Sequence, residues 1–163
     1  MIDITVLTTL SSLKAPEGRF EYFTSQSNVI IVVDYAHTPD ALENVLKTIH
    51  AIKKGGESII SVFGCGGDRD TGKRPLMGKI AADYSNRVIV TSDNPRSENP
   101  EKILEDISNG ISEEKQANAL SISNRKEAIK TACSMARSGD IVLIAGKGHE
   151  KYQIIGDETF HFD

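Results

Sequence analysis

The sequence has no tryptophan, two cysteines and five prolines, and aromatic residues fill 6% of its 163 positions. Cys65 and Cys133 lie far apart and neither belongs to a C-x-x-C pair. That excludes a disulfide framework and a cysteine zinc cluster, and makes a reducing cytoplasm the expected location. No apolar run approaches the roughly 20 residues of a membrane helix. The opening MIDITVLTTLSS lacks the basic region and long apolar stretch of a signal peptide. The charge is also unremarkable: 19 basic against 23 acidic residues leave a formal net charge of −4. Neither nucleic acid nor an anionic membrane is therefore an expected partner. There is no internal repeat and no low-complexity segment. What is present is an ordinary globular composition, 39% hydrophobic and 26% charged. The length suits one domain with a sizeable core.

Strand-like and helix-like stretches alternate after a weakly patterned start that ends in the turn-like APEG. VIIVV at 29–33 is a continuous apolar, β-branched run and reads as a buried strand. Thr38 and Pro39 form a helix start, and Ala41, Leu42, Val45, Leu46, Ile49 and Ile52 continue it at helical spacing until Gly55-Gly56. SIISVF at 58–63 and RVIVTS at 87–92 predict further strands, with a helix from Pro75 to Tyr84 between them. A helix from Asn99-Pro100 to Ser112, a weaker strand at 118–122, a helix over 124–137 and a strand at 141–145 follow. YQIIG and TFHFD predict a terminal hairpin around Gly156-Asp157. The alternation predicts an α/β fold, a mainly parallel sheet with helices on both faces and a C-terminal β-hairpin.

In such sheets ligands sit beyond the carboxyl ends of the strands. Four loops leave those ends here: DYAHTPD, GCGGDRDTGKRP, SDNPRSENP and AGKGHEKY. In the second, Gly67, Gly72 and Lys73 match the phosphate-binding pattern G-x-x-x-x-G-K-[ST], but Arg74 stands where a hydroxyl must hold Mg²⁺. The dinucleotide fingerprint fails as well, because Arg69 occupies the place of its last glycine. What remains is an anion-seeking surface of backbone N–H groups with Arg69, Lys73 and Arg74, tempered by Asp68 and Asp70, or else a turn with solvated charges. In DYAHTPD, Asp34 and His37 are placed to hold a ribose, a metal-bound water or a phosphate, or to cap the turn. In DNPR, Arg96 suits a carboxylate through parallel charge-assisted hydrogen bonds, Asp93 and Asn94 can face an ammonium or an amide, and Pro95 stiffens the loop. The plainer reading is a proline turn before a capped helix. In GKGHE, Gly146 and Gly148 admit close backbone approach and Glu150 can pair with an ammonium. Gln153 rules out the H-E-x-x-H zinc motif. Cys65 has no sequence-evident base and reads as a small buried residue.

Taken together, VVDYAHTPDAL, VFGCGGDRDTGKRPLMG, TSDNPR and AGKGHE, in this order and spacing, resemble the C-terminal domain of the Mur ligases. Within that family they resemble the branch that adds the third residue of the peptidoglycan stem peptide. The resemblance implies a Rossmann-like domain over 19–163, with 1–18 as a linker or the tail of a preceding central domain. It also implies an excised part of a longer enzyme, since only the last of the family's three domains is present, and one clipped at its end, since the family usually continues past FHFD. By resemblance, GCGGDRDTGKR is an amino-acid-binding loop, not a P-loop, and Arg69 is its ligand contact. The other implied amino-acid contacts are Asp93, Asn94, Pro95, Arg96, Gly146 and Glu150. Arg19, Asp34 and His37 match positions that face the nucleotide.

The resemblance further implies an ATP-dependent ligase. ATP, Mg²⁺ and the UDP-N-acetylmuramoyl dipeptide would be bound mainly by domains absent here, and no metal ligand or catalytic group is expected in this part. DNPR accompanies meso-diaminopimelate in the family. The physics agrees, since Arg96 would meet the far carboxylate of diaminopimelate and Glu150 the far ammonium, whereas bound lysine would leave Arg96 unpaired. The part alone is expected to be inactive. A lysine-adding or folylpolyglutamate-type ligase domain, or a stand-alone module for an amino acid or nucleotide, are the competing readings.

Overall fold

In the computed structural model, which describes residues 17–162, strands and helices alternate as the sequence predicts. The expected linker at 1–18 therefore lies almost wholly outside the described residues. The strands are β1 (Glu21–Thr24), β2 (Ile30–Asp34), β3 (Ile59–Phe63), β4 (Arg87–Thr91), β5 (Ala119–Ile122) and β6 (Ile141–Ala145). They form a six-stranded sheet in the order β1-β2-β6-β3-β4-β5. Five of these strands are parallel, and β1 joins one edge antiparallel to β2. A separate hairpin pairs β7 (Tyr152–Ile155) with β8 (Glu158–His161). The helices are α1 (Pro39–Ile52), α2 (Lys73–Tyr84), α3 (Pro100–Ser108), the short α4 (Glu113–Gln116) and α5 (Arg125–Met135).

The strand order explains where the helices lie. The steps β2 to β3, β3 to β4 and β4 to β5 all move the same way across the sheet, and right-handed crossovers put their helices on one face. The step from β5 back to β6 reverses direction, so α5 covers the other face. The core divides accordingly. Leu42, Val45, Leu46 and Ile49 of α1 pack with Met77, Ala81, Ile103 and Ile107 against Val32, Phe63, Val90 and Leu143. Ala128 and Ala132 of α5 pack against Ile31, Ile60, Val62, Ile89 and Val142. Alternate residues of each strand thus serve opposite faces. The central strands β3 and β6 are apolar but for the buried Ser61, because both faces are covered.

Helix starts follow their capping chemistry. Thr38 accepts from Ala41 N at 3.3 Å and Pro39 occupies the first turn. Asn99 accepts from Glu101 N at 2.9 Å, and Asn124 accepts from Glu127 N at 3.1 Å. Three details differ from the sequence expectation. First, β1 carries no burial signal because all four of its residues are exposed on the sheet edge. Second, α3 stops at Ser108, and Ile111 turns into the core before α4 begins. Third, α2 begins at Lys73, two residues early.

Candidate functional site

The four loops named from the sequence meet at one edge of the sheet, beyond the carboxyl ends of β2, β3, β4 and β6. They enclose a cleft of about 580 Å³, lined among others by Tyr35, His37, Arg69, Lys73, Asp93, Asn94, Arg96, Gly146 and Glu150. Both signs of charge face it. Arg69, Lys73 and Arg96 are its cations, and Asp70, Asp93 and Glu150 its anions.

Backbone proximity builds the positive side. Gly67 lies so close to the DNPR loop that a Cβ there would stand 1.9 Å from the Pro95 carbonyl oxygen. Gly67 N donates to Asn94 O at 2.9 Å, and Arg96 Nη1 returns the contact to Gly67 O at 2.9 Å and Asn94 O at 3.3 Å. These bonds hold one edge of the guanidinium and aim the rest at the cleft. Arg96 has a φ of 52°, a left-handed conformation that a non-glycine residue keeps only when its surroundings enforce it. The β7–β8 hairpin does so: Arg96 N donates to Ile154 O at 3.2 Å, and Gly156 N donates to Arg96 O at 2.8 Å. Gln153 Nε2 also donates to Asp93 O at 2.6 Å. The hairpin, which the sequence placed but gave no role, is the clasp of this loop.

The negative side centres on Glu150 and Asp93. Glu150 accepts from Tyr35 Oη at 3.3 Å and from Asn94 Nδ2 at 3.3 Å, and stands 3.6 Å from Lys147 Nζ. Burial, reinforced by the neighbouring Glu150 carboxylate, raises the Tyr35 phenol above its ordinary value. Gly146 borders the Asp93 carboxylate, where a Cβ would lie 3.1 Å from Oδ2. Asn94 Oδ1 is taken up within the protein and not open to a ligand ammonium, because it already accepts from Lys147 Nζ at 2.9 Å and Ile154 N at 3.0 Å. Pro95 is buried with its ring outside the main cleft, lining a neighbouring cavity instead.

A second cleft of about 450 Å³ adjoins the first and is lined by Arg19, Asp34, Tyr35 and His37. Asp34 does local work: Oδ2 accepts from Phe20 N and Oδ1 from Ala36 N, both at 2.7 Å. It thereby fixes the turn that carries exposed Arg19. His37 Nδ1 lies 2.9 Å from Tyr35 O, which places the proton there and leaves Nε2 outward. Lys73 Nζ donates to His37 O at 2.7 Å and links the first loop to the second.

Arg74 corrects the sequence reading. The sequence groups it with an anion-seeking surface, yet it is 1% exposed and ion-paired to Glu98 at 2.8 Å and Asp106 at 3.0 Å. Its carboxylate partners hold it inside, so only Arg69 and Lys73 of that trio face the cleft. Cys65 is buried as expected, with its thiol pushed up to about 12 by burial. Three site-shaping residues escaped the sequence reading. Tyr35 lay within a quoted motif. Lys147, 3% exposed, was passed over between two glycines. Arg125 is buried under the strand ends, where Nη2 donates to Ala145 O at 2.8 Å; no motif pointed to it. Among the described residues no group of three or more His, Cys, Asp or Glu side chains could hold a metal ion.

Fold and cleft define an open, parallel α/β domain with a charged pocket at the carboxyl ends of its strands. The sequence profile of the family described as "Mur ligase, glutamate ligase domain" matches residues 18–148. The UDP-N-acetylmuramoyl-L-alanyl-D-glutamate--2,6-diaminopimelate ligase of Bacteroides thetaiotaomicron is 53% identical over 158 residues, 97% of this chain and 33% of that protein. A solved structure of a ligase with the same name superposes with a TM-score of 0.82 at 47% identity, covering 97% of this chain and 32% of that one. The chain belongs to the Mur ligase family. It spans about a third of the length of the relatives it matches. A bifunctional folylpolyglutamate synthase/dihydrofolate synthase from Yersinia pestis shares the fold, with a TM-score of 0.66 at 16% identity over 91% of this chain and 32% of that one.

Proposed function

We propose that this chain is the amino-acid-binding C-terminal domain, residues 19–163, of an ATP-dependent ligase of peptidoglycan synthesis. The ligase joins meso-2,6-diaminopimelate to UDP-N-acetylmuramoyl-L-alanyl-D-glutamate. The observation that carries this reading is the pairing of opposite charges across one cleft. Arg96 and Arg69 offer guanidinium groups to carboxylates, while Glu150 and Asp93 offer carboxylates to ammonium groups. A two-headed amino acid satisfies both. Lysine, lacking the second carboxylate, would leave Arg96 desolvated without an anion, which a polar site penalises heavily. The 16% identity to the folylpolyglutamate enzyme speaks for the shared fold alone.

The chemistry is the one that the resemblance to the Mur ligases implies. The dipeptide carboxylate attacks the γ-phosphate of ATP, releasing ADP and forming an acyl phosphate. The diaminopimelate amine, as the free base, then attacks the acyl carbon, phosphate leaves, and the amine proton passes to solvent or a base. This domain holds the amine in place, and binding converts the second step from an encounter into a reaction within one complex. Arg19 is the cation suited to nucleotide phosphates, and the outward Nε2 of His37, an acceptor with the proton on Nδ1, suits a ribose hydroxyl; Asp34 acts indirectly by holding the Arg19 turn. Following the resemblance to the Mur ligases, we assign Mg²⁺ and most of the ATP contacts to the rest of the ligase. ATP and a UDP-linked precursor make the cytoplasm the site of action. No helix among the described residues is long and apolar enough to cross a membrane.

The test is a hybrid ligase in which this chain replaces the matching third of the Bacteroides thetaiotaomicron enzyme. The hybrid is expected to ligate diaminopimelate with ATP and to use lysine poorly, while the 163-residue chain alone forms no product. Arg96→Ala is expected to lower kcat/KM for diaminopimelate about 10- to 100-fold, the worth of one charge-assisted contact, and to raise lysine use, because no guanidinium is then left unpaired. Equal use of lysine by the unsubstituted hybrid, or no use of diaminopimelate, overturns the reading.

A further inference from the structure

We propose that Lys147 is a positioning residue: it fixes which end of the Asn94 amide faces the cleft, so that Asn94 meets the ligand only as a hydrogen-bond donor. Lys147 follows Gly146 at the end of β6 and is 3% exposed. Its Nζ donates to Asn94 Oδ1 at 2.9 Å and to Tyr152 O at 2.7 Å. The ammonium also lies 5.6 Å from the Tyr152 ring centroid and 5.8 Å from that of Phe162, within cation–π range.

The orientation of Asn94 is forced by chemistry. An ammonium and a backbone N–H are donors only. Both converge on Asn94 Oδ1, from Lys147 and from Ile154 N at 3.0 Å. Turning the amide over would set its NH₂ against two donors, losing two bonds and creating two repulsive contacts. Nδ2 therefore stays on the Glu150 side, 3.3 Å from Oε2. Ammonium recognition thereby falls to the cleft carboxylates, Glu150 and Asp93 among them, while Asn94 serves an acceptor such as a ligand carboxylate. Burial lowers the Lys147 ammonium from its ordinary value, and the nearby Asp93 and Glu150 carboxylates act against that shift. The same ammonium stands 3.6 Å from Glu150 Oε2, so one buried cation orders both an acceptor and a donor of the cleft.

The consequence for the ligand rests on the diaminopimelate reading above, and the experiment separates the two. In the isotope-labelled chain without ligand, a through-hydrogen-bond coupling between Ile154 N and Asn94 Cγ is expected, with a single set of Asn94 side-chain amide signals. In Lys147→Met, which keeps length and apolar bulk, those amide signals are expected to broaden or double. In the hybrid ligase, Lys147→Met is expected to raise KM for diaminopimelate about tenfold or more, with KM for ATP and kcat nearly unchanged. Lys147→Arg, which retains a donor-only cation, is expected to recover part of the loss. Absence of the coupling in the wild-type chain overturns the proposal, as does an unchanged diaminopimelate KM, or an equal loss in ATP KM and kcat. If Lys147→Met does not fold, a through-hydrogen-bond coupling from Lys147 Nζ to Asn94 Cγ in the wild-type chain decides in its place: its presence supports the proposal and its absence overturns it. If the unsubstituted hybrid does not use diaminopimelate, the functional reading fails, and the amide signals still decide the orientation.

Discussion

Replacing Arg74 by methionine removes the cation that ties the start of α2 to Glu98, in the loop after DNPR, and to Asp106 of α3. The guanidinium is 1% exposed, whereas Glu98 and Asp106 are 27% and 25% exposed. Breaking a fully buried pair costs about 3–5 kcal/mol. Water reaches both carboxylates here, and Lys102 still lies 3.2 Å from Asp106, so about 2–3 kcal/mol is the expected loss at pH 7. At about 2–4 °C per kcal/mol for a chain of this size, Tm should fall by about 4–12 °C. The pH dependence gives a sharper check. Arg74 holds the Glu98 and Asp106 carboxyls below their ordinary 4.5 and 3.8. Groups depressed in the folded state stabilise it above the unfolded values and lose that contribution as pH falls through the folded values. The gap between wild type and variant should therefore be full at pH 7 and narrow steadily below about pH 4. Urea unfolding followed by circular dichroism across that range measures it. A gap under about 0.5 kcal/mol at pH 7, or one that stays constant down to pH 3, refutes the reasoning.

Gly67→Ala should destabilise the chain by about 1–3 kcal/mol and shift amide resonances of Asn94 and Arg96, because its Cβ would lie 1.9 Å from a backbone oxygen with no flexible side chain to yield; wild-type urea stability would contradict the close approach. Cys65, with its thiol near 12, should be almost wholly protonated at pH 8 and resist iodoacetamide in the native state, while half-buried Cys133 reacts first. Mass spectrometry of native and urea-unfolded samples resolves the order, and equal native rates would count against the burial. Tyr35→Phe removes the hydroxyl that bonds Glu150 at 3.3 Å, and should weaken diaminopimelate binding by the hybrid a few-fold, about one neutral hydrogen bond; an unchanged KM would show that Glu150 is held without it.

Much of the fold was legible because its signals are local. The apolar runs of β2, β3, β4 and β6 and the helical spacing of α1 report burial directly in residue type. Thr38-Pro39, Asn99-Pro100 and Asn124 mark helix starts through capping chemistry that acts within a few residues. β1 was not legible, since an exposed edge strand imposes no pattern on its side chains. The loop motifs pointed to the right edge of the sheet, because α/β topology alone sends every βα loop there. The sequence could not place Arg74. Whether an arginine in a glycine-rich loop faces solvent or turns inward depends on Glu98 and Asp106, far along the chain, arriving beside it.

The sequence alone thus determined the alternation of strands and helices, the edge where the cleft forms, and the charges available to it. Tertiary structure decided which of those charges the cleft receives. It buried Arg74 and Lys147, brought the β7–β8 hairpin onto the DNPR loop, and held Arg96 at a φ of 52°. Local propensities are summed over neighbours in the chain, whereas hydrogen bonds such as Lys147 to Asn94 join residues that only folding brings together.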